Sequence, residues 1–285
     1  MNPGTVADLI EPEPCGPGLF RGTPQDTPSL RLFGGLVAAQ AVVAAGRSLT
    51  GGKVVHSVHA RFLRPGDSAL PVEYAVEVVK DGRAFAAAQV TGRQRGRTLF
   101  SATVSAQVPE EWPEHQDPMP DAGDPSRCPS GHPLMARMSP RDPELYRRRF
   151  AGLDLRYVDD GLRSAAGAPM PARWWWRVDP KLPDDPLLHQ AMLAYLTDFT
   201  VLGAALRPHR AGFEDPALES ASLDHVLWYL RPLRADGWLL CDQESPSAGG
   251  GRGLGVARVF AEDGRLVALV AQEGMLRIPP SADGR

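Results

Sequence analysis

The sequence predicts an α+β protein made of two diverged copies of one module, an apolar helix followed by an antiparallel meander. Three observations carry that prediction. A helical segment and a train of strand-like runs occur twice in the same order; short strings recur at a constant spacing; and a proline-rich stretch lies between the two series.

The first helical segment, residues 34–49, reads GGLVAAQAVVAAGRSL and is apolar nearly all round. A helix apolar on every side is a buried one, and its small side chains let a sheet wrap closely around it. Strand-like runs follow at 54–63, 71–80, 85–94 and 98–108. Prolines then cluster between Pro109 and Pro143, where neither a helix nor a sheet interior propagates. Beyond them the order returns, with a helical segment at 189–206 and strand-like runs at 222–230, 238–244, 253–261 and 265–277. Phe62-Leu-Arg-Pro65 recurs as Tyr229-Leu-Arg-Pro232 at an offset of 167, and Gly96-Arg97 as Gly264-Arg265 at an offset of 168. The expected organisation is an N-terminal half at 1–108, a linker at 109–147 and a C-terminal half at 148–285.

Composition narrows the function. The 285 residues carry a formal net charge of -3 with both signs mixed along the chain, which argues against nucleic acid as a partner. No window approaches about 18 uninterrupted apolar residues, so no membrane insertion is expected. Cys15, Cys128 and Cys241 are few, odd in number and far apart, which fits a reducing compartment better than a disulfide framework. The start of the chain has no basic segment leading into an apolar run, and the expected location is cytoplasmic.

Three polar residues stand out against apolar surroundings, all in the second copy. Asp198 has Ala194 and Tyr195 one helical turn before it and Val201 and Leu202 one turn after. A carboxylate on such a face is desolvated and fits a general base; alternatively, Thr197 or Asp198 caps a second, shorter helix after a break. Gln272 shares a strand face with Leu266, Ala268 and Val270, and its counterpart in the first copy is Val104. Either it serves a site or the strand end has reached solvent. Ser222 falls over Val55, and a turn or cap residue is its plain alternative.

Other signals carry less. No Gly-x-Ser-x-Gly elbow is present, which disfavours an acyl-serine hydrolase. The glycines of 249–253 lack the Gly-Lys-Ser/Thr ending of a phosphate loop and fit a bend between strands. His56, His59 and His225 have no companion carboxylate at metal spacing and are expected to be structural, so no metal site is expected. Trp174, Trp175 and Trp176 lie in a strand-like run and are expected to pack in the core.

Leu32-Phe-Gly-Gly-Leu-Val-Ala-Ala-Gln40, Val55-His-Ser-Val-His-Ala-Arg-Phe-Leu-Arg-Pro-Gly-Asp67 and Asp81-Gly-Arg-Ala-Phe85 in the first half resemble the type II acyl-CoA thioesterases, the TesB-like double-hotdog family. Leu187-Leu-His-Gln190 through Asp198, Ser222-Leu-Asp-His225 and Ala271-Gln-Glu-Gly274 extend the resemblance through the second half. It implies a tandem (double) hotdog, each half a sheet wrapped around its central helix. The activity it implies is hydrolysis of fatty acyl-CoA to free fatty acid and CoA, with no cofactor. Asp198, Ser222 and Gln272 take the roles of the family's Asp, Ser/Thr and Gln, which hold the nucleophilic water. Single-hotdog relatives pair a helix-borne carboxylate with backbone amides at the start of the partner's helix. Aligning the helices at an offset of 156 sets Val42 against Asp198, and that resemblance implies that Gly34 and Gly35 bind the oxyanion opposite Asp198, the alternative being that both glycines only permit close helix packing. The partner is an acyl-CoA substrate, and a homo-oligomer is expected, a dimer or tetramer of double hotdogs. Arg147, Arg148 and Arg149 form either a solvated face or a contact to the CoA phosphates. The alternatives are a hotdog enoyl-CoA hydratase or dehydratase, and a non-catalytic acyl-CoA binding or sensing module.

Overall fold

A computed structural model describes residues 6–25, 31–137, 150 and 152–277. Arg147, Arg148, Arg149 and the end of the expected linker lie outside the described residues. In chain order the described elements are α1 (Val6–Ile10), β1 (Glu13–Gly16), β2 (Leu19–Arg21), α2 (Gly34–Ser48), β3 (Val54–Phe62), β4 (Glu73–Asp81), β5 (Phe85–Gln94) and β6 (Arg97–Gln107). The second half contributes α3 (His132–Arg137), β7 (Leu153–Val158), β8 (Arg173–Val178), α4 (Pro186–Thr197), β9 (Glu219–Ser222), β10 (Asp224–Tyr229), β11 (Leu239–Gly249), β12 (Arg252–Ala261) and β13 (Leu266–Arg277).

All strands join one antiparallel sheet in the order β1-β2-β4-β5-β6-β3-β10-β13-β12-β11-β8-β7, with β9 also on β13. That order is a palindrome about the β3–β10 seam, which matches each strand of one half with one of the other. Val226 pairs with His59 at the seam, and these two positions are separated by the repeat offset of 167. The pseudo-twofold axis passes through this pair. One residue of slippage separates Val55↔Ala106 from Ser57↔Ser105 in the first half, and β9 and β10 are parted at the corresponding place. The expected strand at 222–230 is thus a short β9 and β10 divided at Leu223, which repeats the first half's bulge.

Helices α2 and α4 lie antiparallel inside the wrapped sheet. A Cβ on Gly35 would lie 2.7 Å from the Tyr195 carbonyl, so the backbones approach closely there, and one on Gly46 at the other end would run into the Leu187 side chain. Residues 35–45 of α2 are all buried, as the all-round apolar pattern requires. This is the tandem hotdog that the sequence led us to expect.

Two expectations about secondary structure are corrected. The proline-rich stretch is not devoid of helix, since a 3-10 turn at Pro125–Arg127 and α3 form within it; Asp124 caps the turn by accepting from Ser126 N, with Pro125 at its first position. The segment 189–206 is not one helix. It ends at Thr197, and the chain continues as 3-10 structure over Val201–His209. The short strands β1, β2 and β7 at the sheet's edges were not foreseen. The tryptophans behave as expected, because Trp174 and Trp176 enter the main core while Trp175 packs on the opposite face with Leu240, Phe260 and Leu266. Gly250 and Gly251 make the two-residue turn of the β11–β12 hairpin at φ 58° and 76°, where a side chain would be strained.

Candidate active site

The site begins with the break in the second helical segment. Asp185 starts α4 by accepting from Leu187 N at 2.9 Å, with Pro186 at the first helical position. At the other end Thr197 Oγ1 donates back to the Leu193 carbonyl at 2.9 Å and lies 2.8 Å from His225 Nε2. Burial pushes the His225 imidazole down to about 3, so the ring is neutral. Asp198 follows as the C-cap residue. The 3-10 segment then lies flat on β12 and β13, where a Cβ on Gly255 would strike the Val201 carbonyl and one on Gly274 the Leu202 side chain. The apolar pattern continues through the break because both segments are buried.

The residue at the N-cap of the following 3-10 segment is Thr200, not Thr197 or Asp198. Asp198 Oδ1 accepts from Ser222 Oγ at 3.1 Å and from Gln272 Nε2, and its Oδ2 accepts from the Gly35 N–H of the other half at 2.7 Å. Gln272 Nε2 also donates to Ser222 Oγ at 2.9 Å, which closes a triangle of three side chains from three elements. The amide must present its nitrogen here, since the reversed amide would aim an oxygen at a carboxylate. Every named partner of the carboxylate is a donor, the arrangement suited to an ionised acceptor-only group.

The residues that the repeat comparison set apart are thus brought together. Gln272 is fully buried, so its strand has not reached solvent. Ser222 pairs with Gly274 at the end of β9, beside the bulge, and β-bulges characteristically re-aim side chains next to such sites. Gly34 and Gly35 also lie here, but in a different relation from the one expected. Gly35 N–H is held by the carboxylate, while Gly34 opens α2, where the N–H has no intrahelical acceptor.

Asp198, Ser222 and Gly34 line one end of a cavity of about 520 Å³. Its apolar walls include Phe33, Phe62, Phe100, Phe199 and Phe213, and Arg31 and Arg64 also border it. Phe33 stacks on Phe199 at 4.4 Å and meets Tyr195 edge-on at 5.2 Å, which fixes the residue after Asp198. Gln272 is not part of the lining and sits behind Asp198 and Ser222.

The pseudo-symmetric position is sealed. Val42, Val55 and Val104 are buried hydrocarbon, and Gln190 Nε2 donates to the Val55 carbonyl at 2.6 Å. Tyr229 OH closes on the Gln190 carbonyl at 2.9 Å. Thr197 and His225 were not foreseen as a pair; the sole signal was the lone histidine in a buried strand.

A tandem hotdog whose described residues bring a polar cluster to a cavity wall defines the class: a double-hotdog protein. Family models for the acyl-CoA thioesterase N-terminal and C-terminal domains match residues 23–107 and 113–276. Acyl-CoA thioesterase 2 of Haemophilus influenzae is 36% identical over 276 residues, covering 94% of this chain and 96% of the relative. The crystal structure of the acyl-CoA thioesterase II TesB2 of Mycobacterium marinum superposes with a TM-score of 0.79 at 38% identity, over 96% of this chain and 99% of that one. A protein of unknown function with a hot dog fold from Alicyclobacillus acidocaldarius, at 19% identity and a TM-score of 0.74, covers 95% of this chain and 97% of its own and shares the fold. The chain belongs to the acyl-CoA thioesterase family and is a thioester hydrolase.

Proposed function

We propose that the chain hydrolyses acyl-CoA to free acid and CoA with a water activated by Asp198. The observation that carries this reading is the Asp198–Ser222–Gln272 triangle, two of whose members line a cavity with largely apolar walls. A thioester carbonyl is already electrophilic, so a placed water, a base and an anion-stabilising environment are enough.

Water held by Asp198 and Ser222 attacks the thioester carbon, and Asp198 takes its proton as the C–O bond forms. The resulting oxyanion faces the first turn of α2, where Gly34 N–H and the helix dipole oppose its charge. Collapse breaks the C–S bond, and the proton on Asp198 passes to the departing sulfur. Gln272 works from behind, fixing both Ser222 and Asp198. Gly35 N–H acts on the base in the resting site, which narrows the expected pair of oxyanion donors to Gly34.

The hydratase alternative needs a second proton-transfer group. Among the described lining residues Asp198 is the one carboxylate and there is no histidine, which favours hydrolysis. The test is free-thiol release from a panel of acyl-CoAs by the wild type and Asp198→Asn. Loss of general-base catalysis lowers kcat by about 10² to 10⁴-fold. Thiol release that persists in the variant overturns the role of Asp198; water addition to an enoyl-CoA indicates the hydratase, and binding without either reaction the sensing module.

In the same reading the halves divide at 1–108 and 148–285 around a linker at 109–147, and the protein works in the cytoplasm as a homo-oligomer. No described helix is long and apolar enough to cross a membrane. Exposed Trp228 and Val79 on the outer sheet surface support association, which sedimentation would measure.

A further inference from the structure

The apolar end of the cavity does not close on hydrocarbon alone. A second cavity of about 70 Å³ shares Met135, Phe199 and Phe213 with the first, so these side chains form the partition between the two. Its walls include Met170 and Leu206, but also Thr200, Arg207 and Glu214.

Two of those residues each have one buried polar atom without a partner among the described residues. Thr200 is 6% exposed and its Oγ1 is buried without a hydrogen bond. It opens the 3-10 segment, a place where a threonine hydroxyl ordinarily accepts from the first turn, yet it makes no such bond. Arg207 Nη2 donates to Asp160 at 2.8 Å, while Nη1 is buried and unpartnered. Buried donors without partners are costly and mark places that a ligand or water completes.

The charge balance selects the kind of ligand. Arg207 is paired with Asp160, and Glu214 adds a negative charge held by Ser164 Oγ at 2.7 Å. A second carboxylate is therefore disfavoured. A neutral hydroxyl suits the site, because it accepts from Arg207 or Thr200 and donates to Glu214 or Thr200. Thr200 and Arg207 follow Asp198 by two and nine residues, and with a rise of about 2 Å per residue the cavity they line begins within a turn of Asp198 and extends away from it, within reach of a short to medium acyl chain.

We propose that the second cavity is the far end of the acyl channel and receives an acyl-CoA whose chain carries a hydroxyl near its distal end, held by Thr200 and Arg207. The proposal rests on acyl-CoA hydrolysis at Asp198, and its test is separable from that reading. The kcat/KM of terminally hydroxylated hexanoyl-, octanoyl-, decanoyl- and dodecanoyl-CoA is compared with that of the parent thioesters, in the wild type and in Thr200→Val. At the matching length the variant is expected to lower the hydroxylated-to-parent ratio by about fivefold or more while parent esters change by less than about twofold, the pattern of a lost hydrogen bond in a dry pocket. A ratio unchanged by Thr200→Val at every length overturns the proposal. If no acyl-CoA is hydrolysed, the catalytic reading fails, and calorimetric binding of the free hydroxylated and parent acids to both proteins decides the cavity by the same ratio.

Discussion

Gly35→Ala tests whether the interface between the halves sets the catalytic base. A Cβ at this position would lie 2.6 Å from the Phe33 ring and 2.7 Å from the Tyr195 carbonyl. The ring cannot swing aside, since it is stacked on Phe199 and edge-on to Tyr195, and the carbonyl belongs to α4 backbone. Restoring ordinary contact at 3.4 Å requires α2 and α4 to part locally by about 0.7 Å. The same movement stretches the 2.7 Å bond from Gly35 N to Asp198 Oδ2 to as much as about 3.4 Å, beyond the useful range. Losing a hydrogen bond to a charged group is worth roughly 1.5–3 kcal/mol, so kcat should fall by about 10- to 100-fold. Overpacking should cost a further 1–3 kcal/mol or so of stability, lowering Tm by several degrees. Thiol-release kinetics read the first effect and a calorimetric melt the second. A variant with wild-type kcat and a lowered Tm would refute the claim that the Gly35 amide positions the base.

Three further outcomes follow from the same geometry. Gln272→Leu removes a donor from both Asp198 and Ser222 and should cut kcat by about 10² to 10³-fold, while far-ultraviolet circular dichroism stays unchanged. His225 is neutral in the fold down to about 3, whereas the unfolded chain protonates below about 6.5. The unfolded state therefore binds the extra proton, and stability should fall as pH drops from about 6.5 towards 3, by at most roughly 1.4 kcal/mol per pH unit; urea unfolding across that range in the wild type and His225→Gln checks the sign, the variant having the shallower dependence. Gln190→Leu orphans the Val55 carbonyl in the sealed counterpart site, so it should cost about 1–3 kcal/mol in a thermal melt with kcat unchanged.

The architecture was legible because both halves keep their punctuation. An offset read from Phe62-Leu-Arg-Pro and Tyr229-Leu-Arg-Pro is the one that places His59 against Val226 at the seam. What stayed hidden depended on contacts distant in sequence. The break at Asp198 stood only as an alternative, because Phe199, Val201 and Leu202 continue the apolar pattern and the end is set by Thr197 bonding back to Leu193 and meeting His225 from another strand. Edge strands β1 and β2 are too short to show an alternation. Gly35 was placed beside Asp198, but which atom its N–H serves depends on a backbone approach set by packing.

Asymmetry between the copies supports the reading of one site per chain. The fold offers two equivalent positions, each where a helix N-terminus meets the other helix and a bulged strand. At one, a carboxylate at a broken helix end meets a serine, an amide and a backbone N–H. At the other, Val42, Val55 and Val104 present nothing that bonds, and Gln190 turns back to satisfy the backbone at the bulge. A carboxylate installed alone at Val42 would find neither Ser222's hydroxyl nor Gln272's amide there. Its burial would be uncompensated, with a cost of several kcal/mol. Val42→Asp should therefore destabilise the protein without adding activity, whereas a second site would need Ser at 55 and Gln at 104 as well. Measurable gain of turnover from Val42→Asp alone would show that the triangle is not the unit on which hydrolysis depends.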